Sequence, residues 1–190
     1  INEIDYLIVS SLAENHEIIS SNIPKKIIKC SFMDCNSITE EDIPKNQNLG
    51  YYFDSFLPFN PLMKMKGYPI DENQYYIEIT DYLRLEKDRL GLSEICILPH
   101  PNSDRSEEIF FSEFNYLNIS EKRISNCYGA KKYWAAGSDA VLTFSASGCN
   151  VEIITPSNTP KYKKKYDYDK AMITGARNVL LGPDQTRNPI

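Results

Sequence analysis

Glycine is scarce in this chain, eight among 190 residues, and that scarcity first excludes the glycine-rich phosphate loops. Neither the dinucleotide fingerprint G-x-G-x-x-G nor a P-loop occurs, so neither mode of cradling a phosphate on backbone N–H groups is encoded. Histidine is scarcer still, with His16 and His100 only. A structural zinc site draws about four converging ligands. Five cysteines are present, but none are spaced C-x-x-C, and Cys30 and Cys35 have four residues between them and no histidine nearby. No metal site and no cofactor are expected. A basic excess is missing too: 21 basic against 26 acidic residues give a net charge of -5, which argues against nucleic acid as a partner. No apolar run approaches the roughly 20 residues of a membrane span. The first five residues, Ile1 to Asp5, lack the basic start and apolar stretch of a secretion signal. The chain opens on Ile1 rather than Met, which reads as a trimmed chain or the later part of a longer protein. Unpaired cysteine usage fits a reducing cytoplasm, and the triplet Asn118 to Ser120 means little without a secretion signal.

What is present is core-forming material: 42% hydrophobic residues, with 13 Tyr and 8 Phe, enough to exclude disorder for the chain as a whole. Ile4 to Ser10 reads as a buried strand, Ser11 to Ser21 as a short helix, and Lys25 to Cys30 as a second strand, a βαβ signal. Gly50 to Phe56 reads as a third strand, followed by a proline-punctuated segment as far as Pro69. Asp71 with Gln74 three residues on makes a capping box, predicting a helix from Glu72 to Leu90 that Gly91 closes. Glu94 to Leu98 is a fourth strand. Residues 110–119 read as either an extended segment or an irregular connector. A helix is expected from Arg123 to Ala136, closed by Gly137, then a fifth strand from Ala140 to Phe144. Val151 to Thr155 fits a sixth strand or the body of a helix begun at Ser147. Lys161 to Tyr166 reads as an exposed basic and aromatic patch, Asp169 to Val179 as a last helix, and residues 182–189 as a tail. Alternating strands and helices predict an α/β fold, Rossmann-like, with a mostly parallel sheet flanked by helices. The domain reading is 1–160 for that unit and 161–190 for a basic segment, short helix and tail.

Two strand ends carry the site hypothesis, because open α/β sheets bind ligands beyond their carboxyl ends. His100 follows an apolar strand and stands between Pro99 and Pro101, which restrict it to an extended backbone. An imidazole so placed suits a phosphate contact or a general acid; the alternative is a surface histidine. Ser145, Ser147 and Gly148 follow the expected fifth strand, and a helix starting there would present free N–H groups and hydroxyls to an anion, or simply be capped by serine. Asp54 ends the third strand, as a catalytic carboxylate, a ribose contact or a loop cap. Glu152 on a helix would point back toward the ligand, and on a strand would be a plain surface acid. A hydrolase with Ser145 or Ser147 as nucleophile and His100 as base lacks the G-x-S-x-G elbow. The lysines from Lys161 to Lys165 would attract a nucleotide diphosphate, an anionic saccharide or an anionic lipid, although a solvated charge run is the default.

The order of these pieces, Tyr52 to Pro58, a helix bearing Tyr75 and Tyr76, Ile97 to Pro101, Ser138 to Ser147 and then Glu152, resembles the C-terminal half of GT-B glycosyltransferases. More narrowly it is similar to bacterial enzymes of surface polysaccharide assembly, the sialyltransferase-like and Kdo-transferase-like groups. The resemblance covers about residues 4 to 156 and rests on short motifs. It implies a glycosyltransferase, or its donor-binding half, that transfers a sugar from a CMP- or UDP-linked donor to a glycan acceptor. It implies that His100 and Ser145 or Ser147 contact the phosphate of the nucleotide sugar, with Glu152 near it; together with the residue reading, the expected set is His100 and Asp54 as catalytic, and Pro101, Ser145, Ser147, Gly148 and Glu152 as substrate-binding. A complete enzyme of that kind has two Rossmann-like domains, so a second domain or partner chain is expected to supply the acceptor side. The expected location is the cytoplasm, with peripheral contact at the inner face of the membrane through Lys161 to Lys165. The competing expectation is a non-catalytic α/β domain that senses a nucleotide or docks a protein.

Overall fold

The computed structural model describes residues 6–10, 26–30, 46–117, 127, 129–138, 144–145 and 148–182. Strand β1 (Tyr6–Ser10) pairs in parallel with β2 (Lys26–Cys30) as a two-stranded sheet. Both strands match the sequence reading; the helix expected between them lies outside the described residues. The main sheet has six strands: β3 (Asn46–Phe53), β4 (Glu94–Leu98), β5 (Asn115–Tyr116), β6 (Ala130–Ala135), β7 (Val151–Thr155) and β8 (Arg177–Leu180). They lie in the order β5-β4-β3-β6-β7-β8, and every pairing is parallel. Counted from β3, this is the 3-2-1-4-5-6 order of a Rossmann sheet. The α/β, Rossmann-like expectation therefore holds.

A parallel sheet buried on both faces needs strands apolar on both sides, and the burial alternates accordingly. Tyr52, Ile95, Ile97, Trp134 and Ile154 face one way and form a core with Tyr76, Ile79 and Leu83 of the long helix α2 (Glu72–Leu90). Tyr51, Phe53, Cys96, Tyr133, Ala135 and Ile153 face the other way, packed with Cys127, Phe144 and Ala171 of helix α3 (Lys161–Thr174). A short helix α1 (Pro61–Met65) and a 3-10 turn (Glu108–Phe111) complete the described elements. Helix α2 starts and stops where its punctuation dictates. The Asp71 carboxylate accepts from Gln74 N at 2.8 Å, and Gly91 takes the left-handed conformation, φ 63°, that lets its N–H turn back to the last carbonyls.

Two expectations fail, and a third lies almost wholly outside the described residues. The segment read as a helix from Arg123 to Ala136 instead contributes β6, from Ala130 to Ala135. Its apolar spacing was compatible with a helix, but Tyr133 and Trp134 bury opposite faces at once, which only an extended chain inside the sheet allows. The expected fifth strand, Ala140 to Phe144, falls on residues 140–143 outside the described residues, and its last residue, Phe144, is in a helical turn with Ser145. The last helix is not Asp169 to Val179: α3 begins at Lys161 and ends at Thr174, and Gly175 with φ 70° turns the chain into β8. The segment set apart as 161–190 thus supplies, up to residue 182, a helix and an edge strand of the same sheet. Val151 to Thr155 is the strand of its two readings.

One close approach fixes the centre of the sheet. A Cβ on Gly50 would lie 2.5 Å from Cζ3 of Trp134 and 3.1 Å from Leu92 Cδ1. The indole thus packs directly on the bare backbone of β3, and Trp134 is fully buried. Gly50→Ala is expected to destabilise the fold by about 1–3 kcal/mol, the usual cost of overpacking. Urea denaturation of the two proteins measures it; equal midpoints would show that the indole moves aside at no cost.

Candidate functional site

The sheet order reverses between β3 and β6, and the crevice of such a sheet lies beyond the carboxyl ends of these two strands. Four chain segments arrive there: Asp54 to Phe56 after β3, Pro99 to Pro101 after β4, Ala136 to Ser138 after β6, and Pro156 to Thr159 after β7. Asp54 is 2% exposed. Its Oδ1 accepts from the Tyr52 hydroxyl at 3.0 Å, and its Oδ2 accepts from the Tyr76 hydroxyl and from Phe56 N, each at 3.0 Å. Its own N–H donates to the Leu98 carbonyl at 2.9 Å. The bond to Phe56 N stabilises a turn in which Phe56 has φ 55°, so the loop-cap reading of Asp54 is realised.

A second buried carboxylate stands near it. Glu107 is fully buried; its Oε1 accepts from Ser103 Oγ at 2.5 Å and from the Tyr116 hydroxyl at 2.7 Å, and its Oε2 has no hydrogen-bond partner. Burial, and then the Glu107 charge, push the Asp54 carboxyl up to about 6, against the three hydrogen bonds that pull it down. Nothing in the run Asp104 to Phe111 marks Glu107 as buried, because its neighbours Asp104, Arg105 and Glu108 are exposed.

His100 is half-buried and opens a turn, with its carbonyl accepting from Ser103 N at 2.8 Å and Pro101 at the next position, where proline's fixed φ suits a turn. Its Nδ1 accepts from Asn102 N at 3.1 Å, so in the neutral ring the proton sits on Nε2. His100, Pro101 and Asp54 therefore share the carboxyl edge. Ser145 and Gly148 do not. The Ser145 hydroxyl donates to the Thr174 carbonyl at 2.8 Å, the end of α3 that precedes β8, and Gly148 is in the turn leading into β7. Both belong to the amino edge of the sheet. Ser147 lies outside the described residues.

Glu152 is neither of the things its two readings predicted. It sits on β7 at 1% exposure, its Oε2 accepting from the Tyr82 hydroxyl at 3.0 Å and the Trp134 indole N–H at 3.1 Å. Lys132 Nζ lies 3.6 Å from Oε2, and Arg177 Nε lies 3.4 Å from Oε1, within ion-pair reach but without a hydrogen bond. Burial lowers Lys132 despite the attraction of Glu152. The basic run is also largely committed: Lys163 reaches the Gly137 carbonyl at 3.3 Å, Lys164 the Ser157 carbonyl at 2.6 Å, and Lys165 the Asp169 carboxylate at 3.1 Å. Of α3, the sequence reading missed Asp167 and Lys170, which lie four and seven residues beyond Lys163 on one helical face; starting the helix at Lys161 would have aligned them. Among the described residues no group of three or more His, Cys, Asp or Glu could hold a metal ion, and no helix is long and apolar enough to cross a membrane.

Two outcomes follow from the buried acids. Because the folded state raises the Asp54 pKa from 3.8 to about 6, its contribution favours folding fully below about pH 4 and is lost as pH rises through 6. The amount is on the order of 3 kcal/mol. Asp54→Asn should flatten stability between pH 4 and 7 in guanidinium titrations, and an unchanged pH slope would refute the assignment. Glu152→Ala leaves Lys132 buried without its carboxylate and should cost about 3–5 kcal/mol, read as a lower thermal midpoint. A loss below 1 kcal/mol would mean that Lys132 escapes to solvent. No protein-family model and no curated protein sequence matches this chain.

Proposed function

We propose that the chain binds a nucleotide-activated sugar at the carboxyl edge between β3 and β6, as a glycosyltransferase or the donor-binding half of one. The observation that carries the reading is the common placement of His100 and Asp54 beyond the adjoining strands β4 and β3, next to the point where the 3-2-1-4-5-6 order reverses. Breaking the bond between the sugar and its phosphate leaves negative charge on the phosphate oxygen. A donor fixed there beforehand stabilises the transition state more than the ground state. With Nδ1 occupied by Asn102 N, Nε2–H is the donor His100 has to give. In this reading Asp54 sets the loop from Asp54 to Phe56 rather than touching the sugar, since all of its bonds run inward. The acceptor is a glycan brought by a second domain or partner chain, in assembly of a surface polysaccharide.

Calorimetric titration of CMP, UDP and GDP into wild type and His100→Ala tests the reading. One nucleotide is expected to bind, and the variant to bind it about tenfold more weakly, with an unchanged melting temperature. If none of the three binds at millimolar concentration, the reading is wrong.

A further inference from the structure

Helix α1 and the start of α3 meet at the carboxyl edge, the one after β3 and the other after β7. The Tyr162 hydroxyl donates to Met63 Sδ at 3.0 Å, and the Tyr68 and Tyr162 rings touch, 5.1 Å between centroids. The end of α1 is tightly closed. Gly67, with φ 72°, returns its N–H to the Lys64 carbonyl at 3.1 Å, and Tyr68 N donates to the Met63 carbonyl at 3.0 Å, which is the Schellman pattern. Lys64, Met65 and Lys66 are thus held out on a fixed turn. Met65 is the most exposed large hydrophobic side chain among the described residues, at 82%, and Tyr68 and Tyr162 are exposed beside it.

The same surface is basic. Residues 61–70 and 156–166 hold six lysines and no acid, in a chain whose acids outnumber its bases 26 to 21. Lys64, Lys66 and Lys161 are exposed, and no described residue gives their ammonium groups a hydrogen bond or ion pair. Lys164 is held on the Ser157 carbonyl, which leaves its charge uncancelled, whereas Lys163 and Lys165 face the carboxylates of Asp167 and Asp169. Four cations therefore share this surface with an apolar tip and two tyrosines. A soluble anion would satisfy the lysines and leave Met65 in water. An anionic bilayer satisfies both, because its headgroups attract the lysines and its interfacial region takes a thioether and phenol rings. We propose that this surface docks the protein on an anionic lipid bilayer, with Met65 inserted and Lys64, Lys66, Lys161 and Lys164 among the headgroups. The contact differs from the one expected through Lys161 to Lys165: α1 supplies the inserted side chain, and Lys163 and Lys165 take no part. Docking there turns the carboxyl edge toward the bilayer, and it does not depend on the nucleotide-sugar reading.

The test is co-sedimentation with vesicles of equimolar phosphatidylglycerol and phosphatidylcholine, beside vesicles of phosphatidylcholine alone. Wild type is expected to pellet with the first only, and less as salt is raised. Lys64→Gln combined with Lys66→Gln is expected to weaken partitioning about thirtyfold, and Met65→Ser about tenfold. Lys131→Gln, which removes one charge at the amino edge beside the Leu90 carbonyl, and His100→Ala are expected to pellet like wild type. Lys64, Met65 and Lys66 are exposed, so their variants keep the fold, and equal melting temperatures check it. Met65→Trp gives a direct readout: its emission should shift to the blue on the anionic vesicles and be quenched by brominated lipid. Wild type left in the supernatant, a lysine or Met65→Ser variant that pellets like wild type, or unshifted emission from Met65→Trp overturns the proposal. Binding to heparin without binding to vesicles also overturns it, and gives the surface to a soluble polyanion instead.

Discussion

The Asp54 carboxylate is the joint on which the carboxyl edge depends. It ends the central strand, receives hydroxyls from β3 and α2 and an N–H from its own loop, and its backbone holds β4. A charge buried that deeply is unfavourable unless its lone pairs are taken, so the three donors are constrained together. Remove any one, and the strand end, the turn at Phe56 and the N-terminal half of α2 lose a common reference point. The charge of the buried Glu107, itself held by Tyr116 and Ser103, adds to the constraint on Asp54.

The other half of the sheet is organised by Glu152 in a comparable way. Its carboxylate gathers Tyr82 from α2, Trp134 and Lys132 from β6, and Arg177 from β8. A parallel strand is otherwise held to its neighbour by backbone bonds and unspecific apolar packing. A buried acid with partners on three elements fixes register, because a one-residue slip would turn every partner to the wrong face. The two carboxylates divide the labour: one shapes the edge where a ligand would lie, the other locks the frame behind it.

What could be read from sequence was what local chemistry decides. The helix from Glu72 to Leu90 was legible because Asp71 and Gly91 punctuate it, and Glu94 to Leu98 because the unbroken apolar run Ile95 to Leu98 before Pro99 has few other uses. The strand at Ala130 was not legible, since Lys131, Lys132, Tyr133 and Trp134 fit a helical face as well as a pleated one until two cores claim alternate residues. Placement at the strand ends followed from chain order for His100 and Asp54. It failed for Ser145, whose hydroxyl is spent on the Thr174 carbonyl far along the sequence. Glu107, Glu152 and Asp167 look like surface acids in the sequence, and only long-range packing buries them.

The contact between Trp134 and Gly50 has a practical side. The chain holds a single tryptophan, and it sits at the middle of the sheet, fully buried, with its indole N–H on the Glu152 carboxylate. Its emission therefore comes from one environment and reports on one place. Loosening of β6 from β3, of β7 from β6, or of α2 from the sheet alters the polarity around the ring and shifts the spectrum. The protein carries its own optical probe at the seam where its strand order reverses.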